Sequence, residues 1–147
     1  MMRFMSRLGK RPKDVAGEES VRSNGAVRYD SVFTIDSKTA PGVRFSIHRI
    51  SFGRRMELSR RVREISRKAE FLEASTDVHE RIEANILAQE IDAMYLEWGL
   101  LKIDGLIIDG QAANAAQLLE KGPEDLAREI VSAIKDQFGL SEAERKN

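Results

Sequence analysis

Cysteine is absent from the 147 residues, so the chain can form no disulfide, thiolate zinc site, iron–sulfur cluster or cysteine nucleophile. Aromatic residues are scarce, 6% of positions with a single Trp, which leaves little for stacking on nucleic-acid bases. The two histidines, His48 and His79, each lack a second ligand at helical spacing, so no zinc or iron site is expected. No run approaches the roughly 18 consecutive apolar residues of a membrane span. The opening MMRFMSRLGKRP has only single apolar positions and does not read as a secretory signal. A glycine-rich phosphate loop, a dinucleotide fingerprint and a nucleophile elbow are missing too. Asp104 and Asp109 lack the alternating acids and closing Glu of a calcium loop. With no catalytic, cofactor-binding or metal-binding set in view, the expectation is a protein that binds another protein and is not an enzyme.

Charge is what the chain has in quantity. Charged residues make up 33% of it and the formal net charge is zero. Residues 1–72, however, hold 17 Lys and Arg against 8 Asp and Glu, while residues 73–147 hold 7 against 16, so the halves stand at +9 and −9. Such asymmetry suggests a polyanionic partner for the basic half, or pairing of the two halves, within one copy or head-to-tail between copies.

Hydropathy patterning predicts an α+β fold: an N-terminal β-hairpin, an antiparallel helix pair, a short second β-hairpin and C-terminal helices. Residues 1–28 show no helical or strand period and are expected to be a disordered or loosely ordered basic arm, followed by a single domain over 29–140 and a flexible tail over 141–147. Val32 and Thr34, then Val43, Phe45 and Ile47, repeat at two-residue spacing on either side of DSKTAPG, which predicts the first hairpin and leaves His48 on the surface. Ser51 is placed to cap a helix through residue 74, on which Leu58, Val62, Ile65, Ala69 and Leu72 fall within an arc of about 80°. Asp77, with Glu80 three residues on, opens a second helix whose apolar positions are Val78, Ile82, Ile86, Leu87, Ile91, Met94, Tyr95 and Trp98. In LLKIDGLIIDG, Asp104-Gly105 between Leu101, Ile103 and Leu106, Ile108 is the predicted turn of the second hairpin. A short helix over 115–120 ends near Gly122, and Pro123 suits the first turn of a last helix that buries Leu126, Ile130, Val131, Ile134 and Phe138.

The candidate partner-binding residues lie on the helix pair. Arg54, Arg55, Arg60, Arg61, Arg63 and Arg67, with Lys68, make the polar face of the first helix basic, while Glu80, Glu83, Glu90, Asp92 and Glu97 make that of the second acidic. The basic face could neutralise phosphates, so a nucleic-acid-binding viral structural protein using the arm and helix 53–74 is the alternative reading. Glu57 and Glu64 on the same arc oppose it. Tyr95 and Trp98 suit either a binding hot spot or core packing.

Taken in order, the hairpin PGVRFSIHRISFGRR, the charged helix pair, EWGLLKIDGLIIDG and GPEDLAREIVSAIK resemble a tail assembly chaperone of tailed bacteriophages over about residues 30–147. The resemblance implies a protein of the host cytoplasm that binds the tape-measure protein and tail-tube subunits during virion assembly, with no catalytic residues and no cofactor. Self-association is compatible with the two-ended charge.

Overall fold

The computed structural model describes residues 20–23 and 25–138, and its contacts divide the chain into two units at Ser31/Val32. In the first unit β1 (Ser20–Ser23) pairs antiparallel with β2 (Ala26–Tyr29) around Gly25, whose φ is 79°. Ala26 to Tyr29 are all exposed. No strand period is expected over residues 1–28, because two strands of four residues are too short to register one against the surrounding Arg and Ser. Residues 1–19 of the expected arm, and the expected tail 141–147, lie outside the described residues.

The second unit is the α+β domain that the hydropathy pattern predicts. β3 (Val32–Asp36) and β4 (Arg44–His48) form an antiparallel hairpin, and β5 (Leu100–Asp104) joins the other edge of β4 to give a three-stranded sheet in the order β3-β4-β5. The register sets Phe33 opposite Ile47, Ile35 opposite Phe45, and Phe45 opposite Ile103. These side chains share one face, and that face is the core side, with Phe45 and Ile47 fully buried. The core-facing positions of β3 are therefore Phe33 and Ile35, not the Val32 and Thr34 that two-residue spacing singled out. The opposite face is not simply wet either, since Ser46 is buried there and shares a 2.9 Å hydrogen bond with Thr34.

β5 also corrects the predicted second hairpin. Asp104-Gly105 does not fold Leu101 and Ile103 back on Leu106 and Ile108; it carries the chain off the sheet edge. The hairpin forms one turn later, where β6 (Ile107–Ile108) pairs with β7 (Gln111–Ala112) across Asp109 and Gly110. Both turn residues have positive φ, 51° and 81°, the conformation that makes Asp-Gly a tight hairpin turn. Either dipeptide could turn. The competition is decided by β4, whose open edge gives β5 a ladder partner and a place for Ile103 in the core. Gly105 has φ 88°, and a Cβ there would collide with the Gly42 carbonyl, so the sheet edge and the 37–43 loop lie against each other at this glycine.

Two helices of 22 residues each, α1 (Phe52–Glu73) and α2 (Val78–Gly99), follow the sheet's first hairpin and form the expected antiparallel pair. Ser51 caps α1 by accepting from Arg54 N at 3.2 Å, and Asp77 caps α2 by accepting from His79 N at 2.9 Å. Leu58 and Ala69 of α1 and Ala84 and Leu87 of α2 are buried along the seam between them. α3 (Ala115–Lys121), capped by Asn114, and α4 (Glu124–Asp136) close the core through Leu118, Leu126, Ile130, Val131 and Ile134. Phe138 is half-buried, edge-on to Tyr95. No residue of α1 belongs to the principal core; Leu96 and Leu100, at the junction of α2 and β5, do.

Two clamps tie these parts together. Gln137 donates from Nε2 to the His48 carbonyl (2.7 Å) and accepts from Ile50 N (2.9 Å), fixing the strand-to-helix link before α1. The Glu129 carboxylate accepts from Ser37 Oγ (2.7 Å), Lys38 N (2.7 Å) and Thr39 Oγ1 (2.8 Å), pinning the β3–β4 loop to α4. Burial alone pushes Glu129 upward, but these donors outweigh it and hold the carboxyl below its ordinary range. A depressed carboxylate contributes stability that is complete above its unfolded value and is lost as pH falls through the folded one. Glu129→Gln is accordingly expected to cost about 1 kcal/mol at neutral pH and to flatten the acid limb of stability measured by urea unfolding between pH 6 and roughly 3.

Gly99 sits where α2 meets α4, and a Cβ there would lie 2.8 to 2.9 Å from three Ile134 side-chain carbons. Gly53, early in α1, has open space around it. Gly99→Ala should lower stability by about 1–3 kcal/mol through forced repacking of Ile134, whereas Gly53→Ala should raise it by roughly 0.5 kcal/mol. Denaturant titration of the two variants separates close packing from helix propensity.

Candidate interaction surface on the helix pair

The structure divides the eight candidate partner-binding residues into two groups. Arg54, Arg55, Tyr95 and Trp98 meet at the base of the helix pair. Arg54 stacks on the Trp98 ring, its guanidinium carbon 4.3 Å from the centroid, and its Nη2 donates to the Trp98 carbonyl at 3.0 Å. The indole Nε1 and Arg54 Nε have no hydrogen-bond partner, so the contact rests on stacking and that one bond. Trp98 is only 9% exposed. Arg55 lies 5.0 Å over the Phe138 ring, Tyr95 meets the same ring edge-on at 5.6 Å, and Lys135 lies 5.3 Å over Tyr95. Tyr95 and Trp98 are thus packing residues, and Arg54 is held inside with them rather than offered to a partner. His48, expected on the surface, is half-buried beside them. Burial first, and the Arg54 charge second, keep its imidazole below the ordinary value, so the neutral form is favoured and any stability it confers fades as pH falls.

Arg60, Arg61, Arg63 and Arg67 are exposed, as is Arg55 despite its ring contact. Arg61 pairs with Glu57 at 3.0 Å one turn back. At 100° per residue, Met56, Arg60, Arg63, Arg67 and Phe71 fall within an arc of about 80° whose centre lies opposite the α1 seam. Phe71 is 77% exposed and Phe52, at the start of the helix, is more exposed still.

α2 departs furthest from the expected burial. Val78, Ile82 and Ile86 are predicted as its buried side, but they are 63%, 51% and 45% exposed. α2 in fact carries two stripes at three- and four-residue spacing. Ala84, Leu87, Ile91, Met94 and Trp98 form one, which includes the buried seam residues; Val78, Ile82, Ile86, Gln89, Ala93 and Leu96 form the other, about 160° away. A single apolar set can be split this way by separating its positions into two arcs on a helical wheel.

The second stripe is covered only at its C-terminal end. There Ala93 and Leu96 join Leu118 and Leu119 of α3 and Ala127 and Val131 of α4 around an open groove of about 620 Å³. Two ion pairs also line it, Lys135 with Asp92 at 2.6 Å and Arg128 Nε with Glu124 at 2.9 Å, together with Gln89 and Ser132. Toward its N-terminal end the stripe runs on uncovered through Ile86, Ile82 and Val78. Among the described residues no group of three or more His, Cys, Asp or Glu could hold a metal ion, and no helix is long and apolar enough to cross a membrane.

The chain matches no protein-family model, and neither a curated protein nor a solved structure matches it.

The two groups of arginines should respond differently to substitution. Arg54→Ala is expected to lower stability by about 2 kcal/mol, from the lost carbonyl bond and ring stacking. Arg60→Ala, Arg63→Ala and Arg67→Ala should each stay within about 0.5 kcal/mol of the parent protein in thermal unfolding.

Proposed function

We propose that this protein is an assembly adaptor that seats an amphipathic helix of a guest protein in the groove between α2, α3 and α4. The reading is carried by the apolar residues of the groove, Leu96, Leu118, Leu119 and Val131 among charged neighbours, and by their continuation along the exposed isoleucines of α2, a surface suited to an amphipathic helix that presents anchors at i, i+3, i+4 and i+7. In line with the resemblance to tail assembly chaperones, the guest is the tape-measure protein of a tailed bacteriophage, to which tail-tube subunits are brought in the host cytoplasm. Such a role needs a face and no reaction centre.

Arg60, Arg63 and Arg67, aligned on one exposed face, favour a second reading in which α1 tracks a phosphate backbone. Duplex and single-stranded DNA titrated at two salt concentrations would then show a steep salt slope, and a flat, weak response removes this reading.

For the guest, co-expression with the tape-measure protein followed by affinity capture is the direct measurement. Leu119→Asp and Ala127→Arg, which put charge into the groove, are expected to reduce retention by about tenfold or more while leaving the unfolding midpoint within a few degrees. Retention equal to that of the parent protein would overturn the groove as the guest site.

A further inference from the structure

The charges of the two long helices are not used on each other. α1 carries seven Arg and Lys against four Glu, and α2 five Asp and Glu against one Arg, yet among the described residues no ion pair joins the two helices. Among the described residues, the pairs either helix makes are Arg61 with Glu57, inside α1, and Asp92 with Lys135 of α4. The outer face of α1 is basic, with Arg60, Arg63 and Arg67 between Met56 and Phe71. That of α2 is apolar, with Val78, Ile82 and Ile86 along one edge of which Glu83, Glu90 and Glu97 recur every seven residues. The faces point in opposite directions, because each lies about 160–180° from its own seam.

We infer that the outer face of α1 of one copy packs against the outer face of α2 of a second copy, so that copies join head-to-tail. The occupant of each face is fixed by complementarity. Placed beside α2 in the antiparallel sense that α1 already has within the chain, the partner copy's α1 brings a phenylalanine to the Val78–Ile82 end of the stripe and its arginines alongside Glu83 and Glu90. Phe71 lies near the C-terminal end of α1 and Val78 at the start of α2, so the two meet at the same height when both helix pairs are level. Opposite-facing surfaces cannot be satisfied together in a twofold dimer. The contact is heterologous, and it extends into a ring or an open filament. It uses the uncovered end of the α2 stripe and leaves the α2–α3–α4 groove to the guest, so it stands independently of the proposed guest.

Sedimentation velocity of the full chain from about 1 to 200 μM, at roughly 50 and 500 mM salt, tests this. The weight-average mass is expected to rise above that of one chain with concentration at low salt and to fall back at high salt. The triple variant Arg60→Glu, Arg63→Glu, Arg67→Glu and the triple variant Glu83→Lys, Glu90→Lys, Glu97→Lys should each sediment as single chains, while an equimolar mixture of the two should associate again. Restoration in the mixture also shows that both variants are folded. A parent protein that stays a single chain at the highest concentration and low salt overturns the inference, as does association of either triple variant alone or a mixture that remains single.

Discussion

α2 has apolar residues on two nearly opposite sides, and a helix so built must be covered twice. One side is covered by α1 along its whole length. The other is covered by α4 and α3 only from about Gln89 onward, where Leu96 and Gly99 enter the core and Gly99 admits Ile134 at a distance no other residue would allow. The rest of the architecture follows from this half-finished packing. β5 leaves α2 directly at Leu100 and is drawn onto the edge of β4, and Gln137, at the end of α4, locks the link from which α1 starts. The anchored end of the helix pair is thus held by the sheet and by α4, while the other end offers Val78, Ile82, Ile86 and Phe71 to whatever approaches.

Aromatic and charged residues at the anchored end show why surface chemistry cannot be read from residue type alone. Arg54 and Arg60 are both arginines of one amphipathic helix. Arg54 falls on the wheel beside Leu72, toward the seam, and at its height α2 supplies Trp98 in place of an aliphatic side chain, so the guanidinium lies flat on the indole and bonds its carbonyl. Arg60 falls on the far side and meets solvent. The difference is one of angle and of what the neighbouring helix provides.

Much of the fold was legible in the residues. The caps at Ser51 and Asp77, the apolar arc of α1, the Pro123 start of α4 and its buried Leu126, Ile130, Val131 and Ile134 all express local rules that tertiary packing did not override. Three features were less legible, each for a physical reason. Both Asp-Gly pairs are good turns, and only the open edge of β4 decides between them. Every residue from Val32 to Ile35 is apolar or Thr, so two-residue spacing leaves the facing of β3 undetermined until Phe33 meets Ile47. The apolar residues of α2 counted as one face because a three- and four-residue spacing can be threaded through two arcs at once. That last ambiguity hides the candidate surface, since spacing alone places Val78, Ile82 and Ile86 in a core they do not enter.

Energetics decide what kind of contact such a surface can make. Covering what remains exposed of Val78, Ile82, Ile86 and a facing Phe71 contributes roughly 1 kcal/mol or somewhat more for each side chain, about the lower limit of the 4–15 kcal/mol that association costs in lost freedom. Ion pairs at the rim add little at physiological salt. Copies free in solution would therefore join weakly, with the charges setting orientation more than affinity. Copies already seated side by side on one long helical guest are in a different regime, because the effective concentration of each neighbour is then in the millimolar range. A weak, directional contact between copies and a groove that holds a guest helix reinforce each other under those conditions, and a long repetitive guest would be covered cooperatively at concentrations where free copies associate only in part.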